Sequence, residues 1–290
     1  MTSLDLNLGS FWPKTSVGFL KNDTSSEKID TFYLPAIEKV VDWCKREIGT
    51  NLLNLYLFGS VPRGLAQIGV SDVDFLIITD DIKIAKDKTM FSDFKTNFYR
   101  GDIVTDINIE FATRDQTMDD KYFSEPAFIT SVQSVCLYGN PAIAPIFRPG
   151  IEIANHDIVR IATRIKIARE DFIKNRSQMN LHYWTPRLMK KIIRVGFLLT
   201  DRANEDYTKD LSLCYKVFCE TFPDKKNDMN TALELVFVSN HQIDEVLEIL
   251  DRLGNWVIEK SDLWLSKYNP TRMAELGISY QGGEILSFFA

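Results

Sequence analysis

The chain has 290 residues, of which 45% are hydrophobic and 26% are charged, and its formal net charge is −6. This length and composition predict one large or two ordinary globular domains with a full core, and they exclude a disordered chain. The mild negative charge excludes a strong overall field toward nucleic acid or membrane, so an anionic ligand must be held locally.

The cysteines and the apolar segments indicate an intracellular protein. The four cysteines are widely separated and lack the spacing of metal ligands or of a redox pair. We therefore expect reduced thiols. The first thirty residues lack the charged start and apolar run of a signal peptide. No segment reaches the roughly 18 apolar residues of a membrane span, so we expect a soluble, cytoplasmic protein without a membrane partner.

The first part of the chain begins with a helix and a strand. Residues 31–48 carry apolar side chains at helical spacing, and residues 52–58 alternate in the manner of a buried strand. Residues 60–67, with the sequence SVPRGLAQ, predict a short helix. Ser60 is a suitable N-cap for it, and Pro62 is tolerated in a first turn.

Two further strands with a helix between them complete this part. Residues 72–79 include a run that is apolar on both faces, which predicts a central strand. Residues 84–99 predict a helix, and residues 102–111 alternate as a third strand. The order of elements predicts a small α/β sheet domain.

Residues 139–150 contain three prolines and two glycines, which predict a linker, and the sequence pattern changes after them. Beyond it we find only helical periodicity, with the last long helix running through residues 243–257. The apolar tail is expected to pack back on the body of the protein. We therefore predict an α/β sheet domain over residues 1–145 and an all-α helical-bundle domain over residues 146–290.

Gly59 and Ser60 end the first strand and are candidate phosphate ligands. A glycine at the end of a strand lets the backbone approach a bulky anion closely. The free N–H groups of a following helical turn, together with the Ser60 hydroxyl, can hold phosphate oxygens. Gly-Ser is also common at such turns in proteins without a site, so this pair alone does not define one.

Asp72 and Asp74 begin the second strand and are candidate metal ligands. At positions i and i+2 of a strand, both carboxylates point from the same face. Residues 75–78 continue the strand as Phe-Leu-Ile-Ile, so two like charges beside it repel each other and lose solvation. Mg²⁺ offsets both effects, because it takes few protein carboxylates and completes its shell with water and phosphate. A solvated polar edge is the alternative interpretation.

The third strand offers a further carboxylate. Asp106, Asn108 and Glu110 share one face by alternation. Alternation does not choose between Asp106 and Glu110. We take Glu110 first, because Asp106 lies nearer the start of the strand.

These residues together resemble the signature of the polymerase-beta-like nucleotidyltransferases. That signature is an apolar residue with Gly-Ser, a spacer of about ten residues, Asp-apolar-Asp-apolar, and an acidic residue on a later strand. This chain has Phe58-Gly59-Ser60, an eleven-residue spacer and then Asp72-Val73-Asp74-Phe75. Arg63-Gly64 and Ser71 also match a form common in antibiotic nucleotidyltransferases and small bacterial nucleotidyltransferases.

The resemblance implies nucleotidyl transfer, in which an acceptor hydroxyl attacks the α-phosphorus of an NTP and pyrophosphate leaves. It implies that Asp72, Asp74 and the third carboxylate, Glu110 or Asp106, hold one or two Mg²⁺ ions. The third carboxylate is also a candidate acceptor of the hydroxyl proton. ATP is the expected NTP, as the family's default.

The same resemblance assigns ligands to the triphosphate. Gly59 and Ser60 would hold its β- and γ-phosphates, and Arg63 would neutralise charge that develops on pyrophosphate. Residues 194–218 are similar to the helical domain of aminoglycoside adenylyltransferases, and by that match Lys209 would reach the triphosphate. The alternative for Lys209 is an ordinary surface lysine in the first turn of a helix.

The acceptor is the least defined part of the prediction. Residues 160–194 hold ten Lys and Arg against two acidic residues. Such a surface could contact RNA phosphates, with Tyr183 and Trp184 available to stack on a base. We prefer a solvated helix face with one or two residues at the triphosphate.

Three functional hypotheses follow. The first is a Mg²⁺-dependent nucleotidyltransferase that acts on a small hydroxylated acceptor such as an aminoglycoside. The second is a toxin-type transferase that modifies tRNA or a protein. The third is an inactive nucleotide-binding module, which the combined presence of Gly59, Ser60, Asp72 and Asp74 argues against. The apolar C-terminal sequence ILSFFA is a candidate contact in an oligomer.

Overall fold

The computed structural model describes residues 9–68, 71–81, 83–84, 94, 106–118, 125–141, 146–175, 178–238 and 240–269. The chain divides into two compact units. One unit, called the sheet unit below, spans Pro13–Arg148, and the other, called the helical unit, contains the later residues together with the chain up to Trp12.

The sheet unit is built on a four-stranded mixed sheet with the strand order β3-β2-β1-β4. Its helices and strands in the described residues are α1 (Leu34–Glu47), β1 (Leu52–Phe58), β2 (Val73–Thr79), β3 (Ile107–Ala112), α2 (Arg114–Met118), α3 (Glu125–Val132) and β4 (Ser134–Tyr138). Strand β1 is antiparallel to β2 and β4, while β2 and β3 are parallel. The α/β class predicted from the sequence is confirmed.

The two faces of the sheet have different environments. Leu57, Phe75 and Ile107 lie on the face that shares a hydrophobic core with helix α1. Strand alternation sends their neighbours to the opposite face, where Phe58 and Leu76 belong to a smaller apolar cluster. Asp74 of β2 and Asn108 and Glu110 of β3 lie on this second face.

The predicted short helix over residues 60–67 is wrong, because the structure has a single turn there. Leu65 N–H donates to the Ser60 carbonyl oxygen (3.0 Å), and Gly64 N–H donates to the Val61 carbonyl oxygen (3.1 Å). Gly64 has φ +72°. This pair of hydrogen bonds around a left-handed glycine is the Schellman arrangement that ends helices, so the turn stops as soon as it forms.

The structure also contains one strand that was not predicted, and some predicted elements lie outside the described residues. Strand β4 was not predicted, and it pairs with β1 at the edge of the sheet. Most of the helix predicted over residues 84–99, the start of the third strand and the C-terminal tail lie outside the described residues.

The helical unit contains six helices in the described part of the chain. They are α4 (Ile151–Asn175), α5 (Gln178–Leu198), α6 (Leu211–Thr221), α7 (Lys226–Phe237), α8 (Ile243–Ile249) and α9 (Asn255–Tyr268). A π-helical turn, Leu250–Gly254, joins α8 to α9, so the long last helix of the prediction is interrupted. Among the described residues, no helix has both the length and the apolar character needed to cross a membrane.

Candidate functional site

The end of strand β1 lies against a carboxylate of strand β2. Phe58, the last residue of β1, pairs with Asp74. Gly59 follows with φ +87°, and a Cβ atom built on it would lie 2.6 Å from Asp74 Oδ2. That distance is shorter than any real contact of a side-chain carbon, so the Asp74 carboxylate occupies the space that a side chain at position 59 would need. Glycine is required there for both its backbone angle and its lack of a side chain.

Strand β3 supplies the neighbour on the other side of Asp74. Asn108 pairs with Asp74 in the parallel register, and Asn108 Nδ2 donates to Asp74 Oδ1 over 3.3 Å. The two carboxylate oxygens therefore have different neighbours, the Gly59 backbone at Oδ2 and the Asn108 amide at Oδ1. The sequence pattern placed Asn108 on the correct face but gave it no role.

The pairing of β2 with β3 also determines which of the other carboxylates lie side by side across the two strands. Val73 pairs with Ile107, and Val73 N–H donates to the carbonyl oxygen of Asp106 over 2.9 Å. Asp72 and Asp106, the residues just before this pair, are therefore level with each other. Glu110 pairs with Leu76, one step beyond Asp74 on the same face. The Asp106 side chain accepts a hydrogen bond from Ile107 N–H over 2.8 Å.

These carboxylates are accessible but do not form a complete metal site. Asp72, Asp74, Asp106 and Glu110 are all partly exposed. Within the described ranges, no group of three or more His, Cys, Asp or Glu side chains is arranged to hold a metal ion. The oxygen donors of Asp72 and Asp74 fit Mg²⁺ as a pair, because this ion accepts few protein carboxylates and takes further oxygens from phosphate and water.

The turn after β1 presents a smaller surface for phosphate than the sequence predicted. Ser60 is partly exposed, while Val61 and Pro62 behind it are buried. Because the turn stops at Gly64, no continuing helix adds its dipole to the site. An anion bound here would contact Gly59, Ser60 and their backbone groups.

Arg63 is bound within the sheet unit. Its side chain is 5% exposed, and its Nε lies 3.2 Å from Asp23 Oδ2. Asp23 belongs to an N-terminal segment in which Ser25 N–H also donates to the Pro62 carbonyl oxygen over 2.9 Å. The pair holds that segment against the turn. No local sequence pattern predicts this pair, because the partners lie 40 residues apart.

Lys209 lies in the helical unit beside α5. The Nε of Arg194 donates to the Lys209 carbonyl oxygen over 3.1 Å. Asp157 of α4 belongs to the same group of charges. Although burial alone raises the pKa of Asp157, Lys191, His156 and Lys209 together hold it well below its usual range. The structure therefore places Asp157 in a cationic environment that sequence reasoning did not find.

The cysteines are unsuited to nucleophilic chemistry. All four are free thiols. Burial raises the pKa of Cys44 and of Cys214 to about 12, and it also raises the pKa of Cys136 and Cys219. The thiolate is the reactive form, so these groups stay unreactive near neutral pH.

Comparison with known proteins supports the nucleotidyl-transfer interpretation. Residues 37–123 match the family model described as a nucleotidyltransferase domain. In structure, the chain is similar to spectinomycin adenyltransferase AAD(9) from Enterococcus faecialis, solved with ATP and spectinomycin, at 15% identity and a TM-score of 0.50. The similarity covers 79% of this chain and 99% of that one. At this identity it concerns the fold. No curated protein matches the sequence.

The matched residues include the strands that place Gly59, Asp74 and Asn108 together, so the match covers the candidate site. The matched family model and the shared fold agree with the resemblance to nucleotidyltransferases that the sequence signature predicts.

We expect Gly59→Ala to abolish nucleotidyl transfer and to lower stability. Its left-handed backbone costs an alanine about 1–2 kcal/mol, and the added methyl group would collide with Asp74 Oδ2. Gly18→Ala is the matched control, since Gly18 has φ +89° with nothing within 4 Å of the added Cβ. Thermal unfolding should show similar losses of Tm, while only Gly59→Ala loses activity. Equal activity in both variants would contradict the assignment of Asp74.

We expect Asp23→Asn to lower the free energy of unfolding by about 1–3 kcal/mol, because it removes the negative charge that pairs with the buried Arg63 guanidinium. Lys28→Met is the control: Lys28 Nζ contacts the other oxygen of Asp23 at 3.3 Å, but its side chain is 45% exposed. Loss of such an exposed pair costs less than about 1 kcal/mol. Denaturant unfolding measures both. A stable Asp23→Asn variant that has lost activity would instead indicate a role for Arg63 at the nucleotide.

Proposed function

We propose that the protein is a Mg²⁺-dependent nucleotidyltransferase that transfers an NMP, with AMP as the first candidate, from an NTP to a hydroxyl acceptor. The observation that carries the proposal is the placement of the Asp74 carboxylate between Gly59 and Asn108. Asp72 lies on the same face by alternation. A pure binding module needs no such carboxylate pair, which argues against the inactive-module hypothesis.

The proposed reaction makes one bond and breaks one. The acceptor oxygen forms a bond to the α-phosphorus, and the bond from that phosphorus to the bridging oxygen of pyrophosphate breaks. Asp72 and Asp74 would hold Mg²⁺, which supplies positive charge to the phosphate oxygens when bound. The acceptor proton passes to a carboxylate of β3.

The register favours Asp106 over Glu110 as the third carboxylate. Asp106 is level with Asp72, whereas Glu110 is level with Leu76. Two residues along a parallel strand correspond to about 6.6 Å. Glu110 therefore lies about that distance beyond Asp74 along the strands, next to the apolar Leu76. In the sequence analysis, Asp106 came second because it lies near the start of its strand. Asp72 also lies at the start of its strand.

The proposed triphosphate ligands are those that the family resemblance assigned. Gly59 and Ser60 are proposed ligands of the β- and γ-phosphates, because the backbone there is not covered by a side chain. Lys209 is proposed to neutralise charge on the leaving pyrophosphate. Arg63 is a second candidate for neutralising charge on pyrophosphate. The test is whether its ion pair with Asp23 is needed for stability.

A small hydroxylated compound, such as an aminoglycoside, is the first candidate acceptor. The support is the fold shared with a spectinomycin adenyltransferase. A second candidate is RNA, favoured by the basic composition of α4 and α5. On α5 the Arg187 guanidinium also lies 3.6 Å from the centre of the Tyr183 ring, and Tyr183 is 40% exposed. Exposed aromatic and arginine groups of this kind can stack on bases.

Transfer of label from ATP labelled at its α-phosphate tests the function directly. The protein is offered an aminoglycoside panel or total tRNA with Mg²⁺, and the other NTPs follow. We expect Asp74→Asn to reduce transfer by about 100-fold or more. The variant would lose a ligand of the Mg²⁺ that offsets the negative charge of the reacting phosphate.

Asp80→Asn is the matched control for that experiment. Asp80 follows the same strand, but it is 62% exposed and paired with Arg114 at 3.3 Å. Wild-type activity in this control and loss in Asp74→Asn support the proposal. The acceptor that receives label distinguishes the two candidates. Equal transfer by Asp74→Asn and wild type would contradict the proposal.

A second comparison identifies the proton acceptor. We expect Asp106→Asn to reduce kcat by about 100-fold, the usual contribution of a general base, and Glu110→Gln to have a much smaller effect. Each variant removes one charge from the same face of the sheet, Asp106 just before β3 and Glu110 within it. A larger loss in Glu110→Gln would restore the assignment preferred from the sequence.

A further inference from the structure

Asn108 lies in the middle of the polar face that strands β2 and β3 share. It pairs with Asp74 directly across the two parallel strands. Asp106 and Glu110 lie two residues before and after it, so alternation places both of their side chains on the same face as Asn108. The face therefore carries a row of three polar residues, in which the middle one is a neutral amide and the outer two are carboxylates.

The position opposite Asp74 favours an uncharged side chain. Neighbouring strands lie about 4.8 Å apart, so a carboxylate at position 108 would repel the carboxylate of Asp74 across this gap. It would also lie only about 6.6 Å along the strand from Asp106 and from Glu110. An amide at this position avoids the repulsion and adds a group that can donate a hydrogen bond.

The Asn108 amide uses this capacity toward the Asp74 carboxylate. Asn108 Nδ2 donates to Asp74 Oδ1 over 3.3 Å. An ionised carboxylate only accepts hydrogen bonds, so the amide nitrogen, rather than the amide oxygen, faces it. The other carboxylate oxygen, Oδ2, lies against Gly59, where an added Cβ atom would be 2.6 Å away. The carboxylate therefore has a neighbour at each of its oxygens, and both neighbours belong to the sheet unit.

These contacts of Asp74 are those expected around a metal-binding carboxylate, because such groups are themselves oriented by hydrogen bonds from neighbouring residues. We propose that Asn108 is a positioning residue, which fixes the orientation of the Asp74 carboxylate and thereby raises the affinity for Mg²⁺ in the complex with NTP. The assignment rests on the proposed function of Asp74 as a Mg²⁺ ligand. The amide carries no charge and acts through Asp74, so its effect on NTP binding requires the metal.

The geometry of the hydrogen bond sets the expected size of the effect. Removing a hydrogen-bond partner of a metal ligand typically lowers metal affinity by about 10- to 100-fold. Asn108 is exposed, and its distance of 3.3 Å is at the long end for an N–H···O hydrogen bond. Water can also replace part of an exposed donor's contribution. We therefore expect a loss at the lower end of the range, about tenfold.

Asn108→Leu tests the assignment, because leucine is close to asparagine in size and has no donor. The full chain is titrated calorimetrically with α,β-methylene ATP, once with Mg²⁺ below saturation and once in EDTA. We expect the variant to raise Kd about tenfold with Mg²⁺ and to leave Kd in EDTA unchanged. A purely structural role would raise both values, because it does not depend on the metal.

Asn51→Leu is the matched control. Asn51 is an exposed asparagine of the sheet unit that comes just before β1, whereas Gly59 follows the other end of that strand. The Kd of this control should equal the wild-type value under both conditions. Asp74→Asn gives the upper limit, since we expect it to lose the whole effect of Mg²⁺, of which Asn108→Leu loses a part.

Thermal unfolding checks each variant before the titration. Should Asn108→Leu fail to fold, Asn108→Ala removes the same donor with a smaller side chain, and it must show the same Mg²⁺-dependent loss. A variant with the wild-type Kd in Mg²⁺ overturns the positioning role. A loss of equal size with Mg²⁺ and in EDTA overturns it too, because the effect then does not pass through the metal.

The wild type separates failure of this assignment from failure of the proposed function. A wild type whose binding is strengthened by Mg²⁺, beside an Asn108→Leu variant with the same Kd, overturns the positioning role alone. A wild type that binds no α,β-methylene analogue of the four NTPs, or that binds one equally well in EDTA, overturns the proposed function and the positioning role with it.

Discussion

The candidate site depends on the close approach of the Asp74 carboxylate to the backbone of Gly59. A carboxylate at this position leaves no room for a side chain at the end of β1, and the left-handed backbone of Gly59 turns the chain away from the sheet immediately afterwards. The parallel pairing with β3 then places Asn108 on the other oxygen and brings Asp106 level with Asp72. The sheet thus presents its carboxylates on one face and keeps its larger core on the other.

The parts of the fold that sequence patterns predicted are those encoded over short distances. Alternation in β1 and β2, and the Asp-Val-Asp at the start of β2, were sufficient to propose residues for the candidate site. Strand β4 was missed because its five residues alternate weakly and are mostly half-buried. The short helix was wrong because Ser60 and Pro62 favour a helix start, whereas the left-handed Gly64 ends it after one turn.

Contacts between distant residues were not predictable in the same way. Arg63 lies where the family signature expects a phosphate ligand, yet the structure binds it to Asp23. The proposed preference for Asp106 over Glu110 rests on the register of two strands, which alternation does not supply. Asp157 carried no signal in the sequence, and its environment emerges only when α4 and α5 are brought together.

The central claim is that Asp72 and Asp74 bind an NTP together with Mg²⁺, and it can be tested without knowing the acceptor. The measurement is the affinity for a non-hydrolysable NTP analogue, titrated with and without Mg²⁺ into wild-type protein and Asp72→Asn. The account predicts binding that is strengthened by Mg²⁺ in the wild type and loses that dependence in the variant. Binding that is equally tight without Mg²⁺, or equally Mg²⁺-dependent in Asp72→Asn, would contradict it.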